Sequence, residues 1–295
     1  MKYNMKDLDF VFMSFDEPNA DANYNHLKTI VPWAKRSHGV KGFDACHKAA
    51  ADKVTTDVFV MVDGDCIIDP AFLEFNLFAN NRTSNFAVSI NAINQVNGLS
   101  YGNGSIKIWT KEFIYGMKSH ENAEDDSNVR GKVDFCWNDG YYSTKDTCYA
   151  TTIINSTKFQ AWRAGFREGA KMVLSYLDSG AKITEKKSVL YNILSVWMSI
   201  GSDVENGIHC MQGAVHGAYS IAMGLINPEL IADYNWCSEV GFVEFENTPD
   251  EVFAEMRNTL GCLFSLKTIP ILDPDSSAWY KEIHAPRKRH VHAEI

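Results

Sequence analysis

Two carboxylates separated by one glycine, Asp63 and Asp65, follow a run of apolar residues from Val58 to Val62. An apolar run of this length that ends at such a break predicts a buried strand, parallel to its neighbours and covered on both faces. The pair would then lie at the carboxyl end of the strand, which is the edge where open α/β sheets bind ligands. Two hard oxygen donors at this spacing can share one divalent cation, and such a cation commonly bridges the phosphates of a nucleotide. The alternative is a simple Asp-Gly-Asp turn, which both residue types favour for local reasons.

The composition indicates a globular protein. The chain has 295 residues, of which 45% are apolar, enough for a full core in one large α/β domain or two ordinary ones. No stretch approaches the roughly 18 to 20 apolar residues that cross a bilayer, and the first residues lack the apolar core of a signal peptide. We therefore expect a soluble protein of the cytoplasm.

Cysteine spacing and charge exclude some classes of site. The seven cysteines are scattered singly without a Cys-x-x-Cys spacing, which indicates neither a zinc site nor a disulfide framework, so we expect them to be reduced. The net charge of −9 argues against a protein coated in basic surface for nucleic acid, but it leaves room for a local basic groove. Cations collect at residues 35–38, 163–171, 182–187 and 287–290, and a run of this kind by itself is more often a solvated face than a binding site.

The order of elements predicts one continuous α/β unit. A strand at residues 8–14, a helix at 41–54 and the strand at 58–62 give the β-α-β rhythm of a parallel sheet. Further strands are predicted at 86–92 and 149–154, and helices at 158–177, 189–200, 206–225 and 249–260. We predict an α/β half at residues 1–155 that carries a nucleotide and a helix-rich half at residues 156–295 that closes over it in the same compact unit.

Two segments between these elements have loop character. The glycine-dense segment 97–105 predicts either a hairpin or a close approach of ligand to backbone. The polar segment 118–140 predicts a long loop of the kind that forms active-site lids.

The strand that ends in Asp63-Gly64-Asp65, about sixty residues into a chain that opens on a strand and a polar loop, resembles the Asp-X-Asp signature of GT-A glycosyltransferases. Residues 38–45, 49–52 and 55–57 are similar to the helix that precedes this signature in family-2-like transferases. The resemblance implies a GT-A-like, Rossmann-like nucleotide-sugar domain with a mixed central sheet. It also implies Mn²⁺ or Mg²⁺, held by Asp63 and Asp65 against the diphosphate of a UDP-sugar donor, where the dication stabilises the leaving group as a Lewis acid.

Two later segments, 101–109 and 160–169, resemble those of uncharacterised GT-A-like proteins of T4-like bacteriophages. Phages of this type add glucose or arabinose to 5-hydroxymethylcytosine in their own DNA. The resemblance therefore implies double-stranded DNA carrying hydroxymethylcytosine as the preferred acceptor. An enzyme of this kind needs cationic contacts to phosphates in order to reach or flip a base. A glycan or a lipid-linked sugar is the alternative acceptor.

Several residues are candidates for binding the donor. Ser14, Asp16 and Glu17 follow the first strand, where the relatives implied by the resemblance bind uracil and ribose, although a helix-capping turn would use the same residue types. Arg163 and Arg167 recur with Lys171 every four residues, which places three cations along one side of a helix, as a phosphate ligand or a solvated face would favour. The predicted donor-binding residues are Ser14, Asp16, Glu17, Arg36, Gly64, Arg163 and Arg167.

A direct displacement also needs a carboxylate that removes the acceptor proton. Asp139, in an aromatic loop, and Glu205 are the predicted bases, whereas a reaction that retains configuration needs none. GT-A enzymes often supply a third metal ligand as a late histidine, and His209 is the predicted ligand, with His216 as the other possibility. A histidine among apolar neighbours is also consistent with a core residue.

The same carboxylates fit a second class of enzyme. Haloacid-dehalogenase-like phosphatases also end an apolar strand in Asp-X-Asp, which would make Asp63 the nucleophile and Asp65 the acid and base, with magnesium beside them. Two features oppose this interpretation. Ile67 stands where threonine or valine is usual, and a full strand-helix unit precedes the motif, whereas that family normally opens with it.

Overall fold

The computed structural model describes residues 1–80, 83–124, 132–133, 139–178, 189–264, 266, 270–285 and 290–295. The strands are β1 (Lys2–Asn4), β2 (Asp9–Ser14), β3 (Lys35–His38), β4 (Val58–Asp63), β5 (Cys66–Ile68), β6 (Asn76–Phe78), β7 (Ala87–Asn94), β8 (Ser100–Thr110), β9 (Tyr141–Thr152) and β10 (His292–Glu294). The helices are α1 (Ala20–Ile30), α2 (Phe43–Ala51), α3 (Lys111–Gly116), α4 (Lys158–Asp178), α5 (Val189–Ser199), α6 (Gly207–Ala222), α7 (Tyr234–Trp236), α8 (Phe242–Glu246), α9 (Asp250–Leu263) and α10 (Pro274–His284). Short 3₁₀ helices occupy Met5–Asp7, Pro70–Glu74, His120–Asn122 and Pro228–Ala232.

A mixed sheet in the order β3-β2-β4-β8-β7-β9-β5 forms the centre of the molecule. β2 pairs in parallel with both β3 and β4, whereas β8 is antiparallel to β4 and to β7, and β9 is parallel to β7. The carboxyl ends of β2, β3 and β4 therefore meet at one edge of the sheet, which we call the carboxyl edge. The prediction of a parallel strand at β4 is confirmed on the β2 side and is wrong on the β8 side.

The β4 run is buried because the sheet is covered on both faces. Val60 and Val62 pack with Phe10 and Phe12 in one apolar cluster. Phe59 and Met61 point the other way and join a second cluster that includes Ala50 and Ala51 of α2, and Trp109 of β8. Alternate side chains of one strand thus enter two cores, which is why the run is apolar without interruption.

Close packing of α4 against α6 organises the C-terminal half. A Cβ atom on Gly169 would collide with the backbone carbonyl of Ala214, and one on Gly217 would collide with that of Phe166. Gly165 and Gly213 have equally close backbone neighbours on the opposing helix. The two helices can therefore approach until their backbones touch, and no residue larger than glycine fits at these positions.

The chain ends in the N-terminal half. β10 pairs with β6 in parallel and β1 pairs with β6 antiparallel, so a second, three-stranded sheet joins both ends of the chain. The predicted fold class is confirmed as α/β with a mixed central sheet and a helix-rich C-terminal half. The division at residues 155 and 156 remains a proposal, and β10 crosses back over it.

The described residues also show whether a helix could span a membrane and in which state the cysteines are. Among the described helices, none has the length and apolar character needed to span a membrane. Six cysteines are free thiols, as predicted, whereas Cys136 lies outside the described residues. The basic runs at residues 182–187 and 287–289 and most of the predicted loop at residues 118–140 also lie outside them.

Candidate functional site

The turn that carries Asp63 and Asp65 is held at the carboxyl edge from both sides. Asp63 is the last residue of β4, and the carbonyl of Gly64 accepts a hydrogen bond from Asn23 Nδ2 of α1 at 2.9 Å. The carbonyl of Asp65 accepts one from the amide of Ile153, just after β9, at 2.7 Å. The Asp-Gly-Asp segment is therefore a turn, and it is also a fixed pair of carboxylates at the position where α/β sheets bind ligands.

Negative charge is concentrated around this turn. Burial raises the pKa of Asp63 above its ordinary value, the charge of Lys107 opposes that rise, and the charge of Glu17 adds to it. Burial also raises the pKa of Asp65, and repulsion from Asp63 and Glu17 adds to the effect. Crowded carboxylates with raised pKa values are a common feature of functional sites, because a bound cation would relieve their repulsion.

The donor set at this turn suits a hard divalent cation. Two carboxylates can bind Mg²⁺ or Mn²⁺ when phosphate oxygens and water fill the other positions, an arrangement that Mg²⁺ commonly adopts. Within the part of the chain that the structure describes, no group of three or more His, Cys, Asp and Glu side chains is arranged to hold a metal ion. The residues therefore fit a cation shared with a phosphate ligand better than a cage made by protein alone.

The loop after β2 contacts the turn directly. Glu17 Oε2 accepts a hydrogen bond from the amide of Phe15 at 2.7 Å. A Cβ atom on Gly64 would lie 2.6 Å from the same oxygen and 2.9 Å from Ser14 Cβ. Gly64 is therefore required for the close approach of this loop to the Asp63 turn. The predicted residues Ser14, Glu17 and Gly64 lie together beside the pair.

The end of β3 adds the cation Arg36 to the same edge. Ser14 Oγ lies 2.9 Å from His38 Nδ1 and accepts a hydrogen bond from Arg36 Nε at 3.1 Å. Arg36 also forms an ion pair with Asp21 of α1 at 2.7 Å. The predicted residue Arg36 thus contacts Ser14, the residue directly before the loop that carries Glu17. Its guanidinium is shared between Ser14 and Asp21.

Helix α4 brings two predicted arginines to the carboxyl edge. The Arg163 guanidinium lies 5.0 Å from the ring centroid of Tyr234, and the Tyr234 hydroxyl donates to Asp16 Oδ2 at 2.6 Å. Burial and the contact with Asp16 raise the pKa of Tyr234 to about 12. The Arg167 guanidinium lies 4.8 Å from the ring of Phe43, the first residue of α2. Arg163 therefore stacks on a ring that contacts the loop after β2, and Arg167 stacks on the ring of Phe43, which follows the loop after β3.

The third member of the basic stripe has a different role. Lys171 forms an ion pair with Glu168 on its own helix at 2.6 Å. A pair at this spacing on a helix contributes a few tenths of a kcal/mol, about 0.2 to 0.5. Arg163 and Arg167 are the members of the stripe whose contacts at the carboxyl edge are described above.

The two histidines of α6 lie in the helical half. Nothing among the described residues joins His209 to Asp63 and Asp65 in a metal-binding group, and its ring lies 5.9 Å from that of Phe245. Burial and the charge of Lys158 lower the pKa of His209. His216 is buried among aromatic rings, and burial lowers its pKa to about 4, which makes it a core residue. Both histidines thus lie in the helical half, and the role of His209 as third ligand stays a prediction.

The two predicted bases lie at opposite edges of the sheet. Through the intervening strands, Tyr141 is level with Phe59, four residues before Asp63 on β4 and so about 13 Å away along the strand. Asp139 precedes Tyr141 and lies at the amino edge, away from the Asp63 turn. Glu205 is exposed, and its carbonyl accepts a hydrogen bond from Asn155 at 2.8 Å, three residues after β9 ends at the carboxyl edge.

Sequence reasoning missed two residues of this site. Lys107 of β8 lies 3.6 Å from Asp63, and the only signal was a lysine between two isoleucines in an alternating strand. Tyr234, which joins Asp16 to Arg163, gave no signal, because the contact spans 218 residues of sequence. Long-range contacts of this kind follow from the packing of α4 and α7 over the sheet.

Comparisons with known proteins do not identify a family for this chain. Neither a family model nor a curated protein matches the chain. Among solved structures, the chain is similar to S. aureus TarS residues 1–349 in complex with UDP, over 79% of this chain and 90% of that one, at 9% identity and a TM-score of 0.30. A likeness at this level carries no weight in assigning family or function.

Proposed function

We propose that the chain is a metal-dependent glycosyltransferase that moves a sugar from a UDP-sugar to an acceptor hydroxyl. The observation that carries the proposal is the fixed pair of Asp63 and Asp65 at the carboxyl edge of parallel strands β2, β3 and β4. Ligands of open α/β sheets bind at this edge, and paired carboxylates there suit a cation that a diphosphate shares.

The surrounding residues fit the parts of such a donor. Ser14, Asp16 and Glu17 follow β2 and offer hydrogen-bonding groups for a nucleoside, next to the carboxylate turn. Arg163 and Arg167 approach the same edge from α4 and supply positive charge for a diphosphate. Carboxylates on the sheet and arginines on the covering helix would then bracket the donor between the two halves of the chain.

The chemistry expected at this site is the departure of a nucleoside diphosphate. When bound, Mn²⁺ or Mg²⁺ would supply Lewis-acid stabilisation of the leaving diphosphate, held by Asp63 and Asp65. Glu205, exposed at the same edge, is the remaining candidate base for the acceptor hydroxyl in a direct displacement.

Hydroxymethylcytosine in phage DNA is our preferred acceptor, and glucose or arabinose the preferred sugar. The sequence resemblance of residues 101–109 and 160–169 supports this choice. Arg163 and Arg167 are equally suited to the phosphates of DNA and to those of the donor. A glycan or lipid-linked sugar is the alternative acceptor.

The donor half is tested by release of UDP from a panel of UDP-sugars with Mn²⁺, with Mg²⁺ and with EDTA. We expect metal-dependent release with at least one donor. If the protein instead hydrolyses a generic phosphomonoester and releases no UDP, the pair serves a phosphatase and the proposal is wrong.

The acceptor half is tested separately by mass spectrometry of nucleosides from hydroxymethylcytosine DNA after incubation with the same panel. A hexosyl or pentosyl adduct on hydroxymethylcytosine is the expected result, with unmodified cytosine DNA as the control. Equal UDP release with and without DNA, and no adduct, would exclude the DNA acceptor and leave the donor half intact.

A further inference from the structure

Lys107 lies on the same face of the sheet as Asp63. Residues directly opposite each other in an antiparallel pair share a face, and Lys107 is the partner of Met61 on β4. Because side chains alternate along a strand, Met61 and Asp63 also share a face. The register of β4 and β8 therefore sends an ammonium group from an inner strand toward the carboxylate at the strand end.

The lysine is positioned behind the aspartate as seen from solvent. The Lys107 side chain is 6% exposed and that of Asp63 is 24% exposed, and their charged atoms, Nζ and Oδ2, are 3.6 Å apart. This distance is longer than the roughly 2.7 to 2.9 Å of a close charge-assisted hydrogen bond. Burial of an ammonium group is costly, and cores of this kind rarely contain one without a reason in the charges around it.

The charge of Lys107 reaches the whole turn. Burial raises the pKa of Asp63 and of Asp65, and the charge of Lys107 opposes the rise at both. Glu17 acts on the same two groups in the opposite sense. A diphosphate that approaches three carboxylates, Asp63, Asp65 and Glu17, meets repulsion that one dication offsets only in part. Lys107 supplies a further positive charge beside this turn.

We infer that Lys107 is the protein's own cation at the diphosphate site, and that its buried charge favours binding of the nucleoside diphosphate together with the divalent cation. This inference rests on the nucleotide-sugar function proposed above, since it assumes that a nucleoside diphosphate binds at the Asp63 turn. Lys107 would then contribute to diphosphate affinity even without a metal, because its charge belongs to a residue of the central sheet.

The test is the affinity for UDP, measured by titration calorimetry with Mn²⁺ and, separately, with EDTA. We expect Lys107→Met to weaken UDP binding about tenfold in both conditions, a size that one charge at a partly screened distance can produce. Lys107→Arg keeps the charge and should restore the affinity to within about threefold. Unchanged affinity of Lys107→Met in both conditions overturns the inference, because the lysine would then serve packing alone.

A matched control separates this effect from a general change of charge or fold. Lys111 is the first residue of α3, directly after β8 ends at the amino edge, and its ammonium donates to the carbonyl of Val54 at 2.7 Å, so Lys111→Met removes one charge far from the turn. It should leave UDP affinity unchanged, and melting temperatures of all variants verify the fold.

A loss confined to the Mn²⁺ titration also contradicts the inference, because Lys107 would then act only by holding Asp63 for the metal. If the unmodified protein binds no UDP in either condition, the proposed function fails, and the inference fails with it.

Discussion

At the scale of the residue, the Asp63 turn lowers the stability of the folded chain. Both carboxyls of the pair have raised pKa values, because burial disfavours their ionised forms and repulsion from Glu17 acts on both, with repulsion from Asp63 added at Asp65. A carboxyl whose folded pKa lies above its unfolded value lowers stability once the pH is above that unfolded value. The folded chain thus bears a cost at neutral pH, which is characteristic of residues kept for function.

Asp65→Asn should therefore abolish function without harming the fold. We expect UDP release to fall by about 100-fold or more, because one of the two charged donors is lost. The melting temperature should stay the same or rise, since the substitution removes a repelled charge. The control is Asp57→Asn at the amino end of the same apolar run, an exposed position that should keep full activity. Full activity of Asp65→Asn would contradict the metal-binding role.

Asp9 shows the opposite behaviour. Burial raises the pKa of Asp9, but hydrogen bonds from Thr55 and Thr56 and the contact with Lys35 outweigh it and lower the pKa to about 2. A lowered carboxyl pKa contributes stability that is present above the unfolded value near 4 and is lost as the pH falls toward 2.

Asp9→Asn should lower the free energy of unfolding by about 2 kcal/mol at pH 7 and by about half as much at pH 3, where part of the folded carboxylate's advantage is already lost. Urea denaturation at the two pH values measures this difference. Asp7→Asn, at an exposed position two residues earlier, is the control and should change little at either pH. An equal loss for Asp9→Asn at both pH values would show that the carboxylate charge is not the source of the stability.

At the scale of the element, glycines decide how α4 meets α6. The backbones of the two helices are close enough that a methyl group at Gly169 would overlap the carbonyl of Ala214. The face of α4 that carries Arg163 and Arg167 is thereby held over the carboxyl edge. Small residues at four-residue spacing permit such crossings, and helix propensity by itself would favour alanine there.

Gly169→Ala should destabilise the protein by about 1 to 3 kcal/mol, because overpacking outweighs the gain in helix propensity. The unfolding midpoint in urea measures the loss. Gly116 at the end of α3 has open space where a Cβ would lie, so Gly116→Ala should be neutral or slightly stabilising. Stabilisation by Gly169→Ala would contradict the helix contact described above.

At the scale of the whole molecule, the last strand fastens the end of the chain to the N-terminal half. Ala293 of β10 is level with Leu77 of β6 and packs against the main core, and the hydroxyl of Tyr149 on β9 donates to the carbonyl of His290 at 3.0 Å. The helix-rich half is therefore attached to the sheet both before α4 and after α10.

Ala293→Asp should lower the melting temperature by about 4 °C or more, because a carboxylate would enter the face that packs on the core. Thermal unfolding followed by circular dichroism measures the shift. Glu294→Ala, at the exposed neighbouring position, is the matched control and should have almost no effect. If both variants melt like the unmodified protein, β10 contributes nothing to the stability of the molecule.

Much of the fold followed from local patterns. The strand at β4, the helix at α2 and the long helices of the C-terminal half were predicted close to their observed bounds. These elements have strong periodicity or capping signals, and such signals act within one or two turns of chain. The edge strand β3 was missed because Lys35–His38 is polar and is a strand only through its pairing with β2.

The sequence by itself determined the β-α-β order and the carboxylate pair at the end of β4, because apolar periodicity and turn chemistry are local. Only the tertiary structure decided which distant groups join the pair. It brought Lys107, Arg163 and Tyr234 to the carboxyl edge, placed Asp139 at the amino edge, and left His209 in the helical half. Those positions depend on strand register and helix packing, which are set by contacts between residues far apart in the chain.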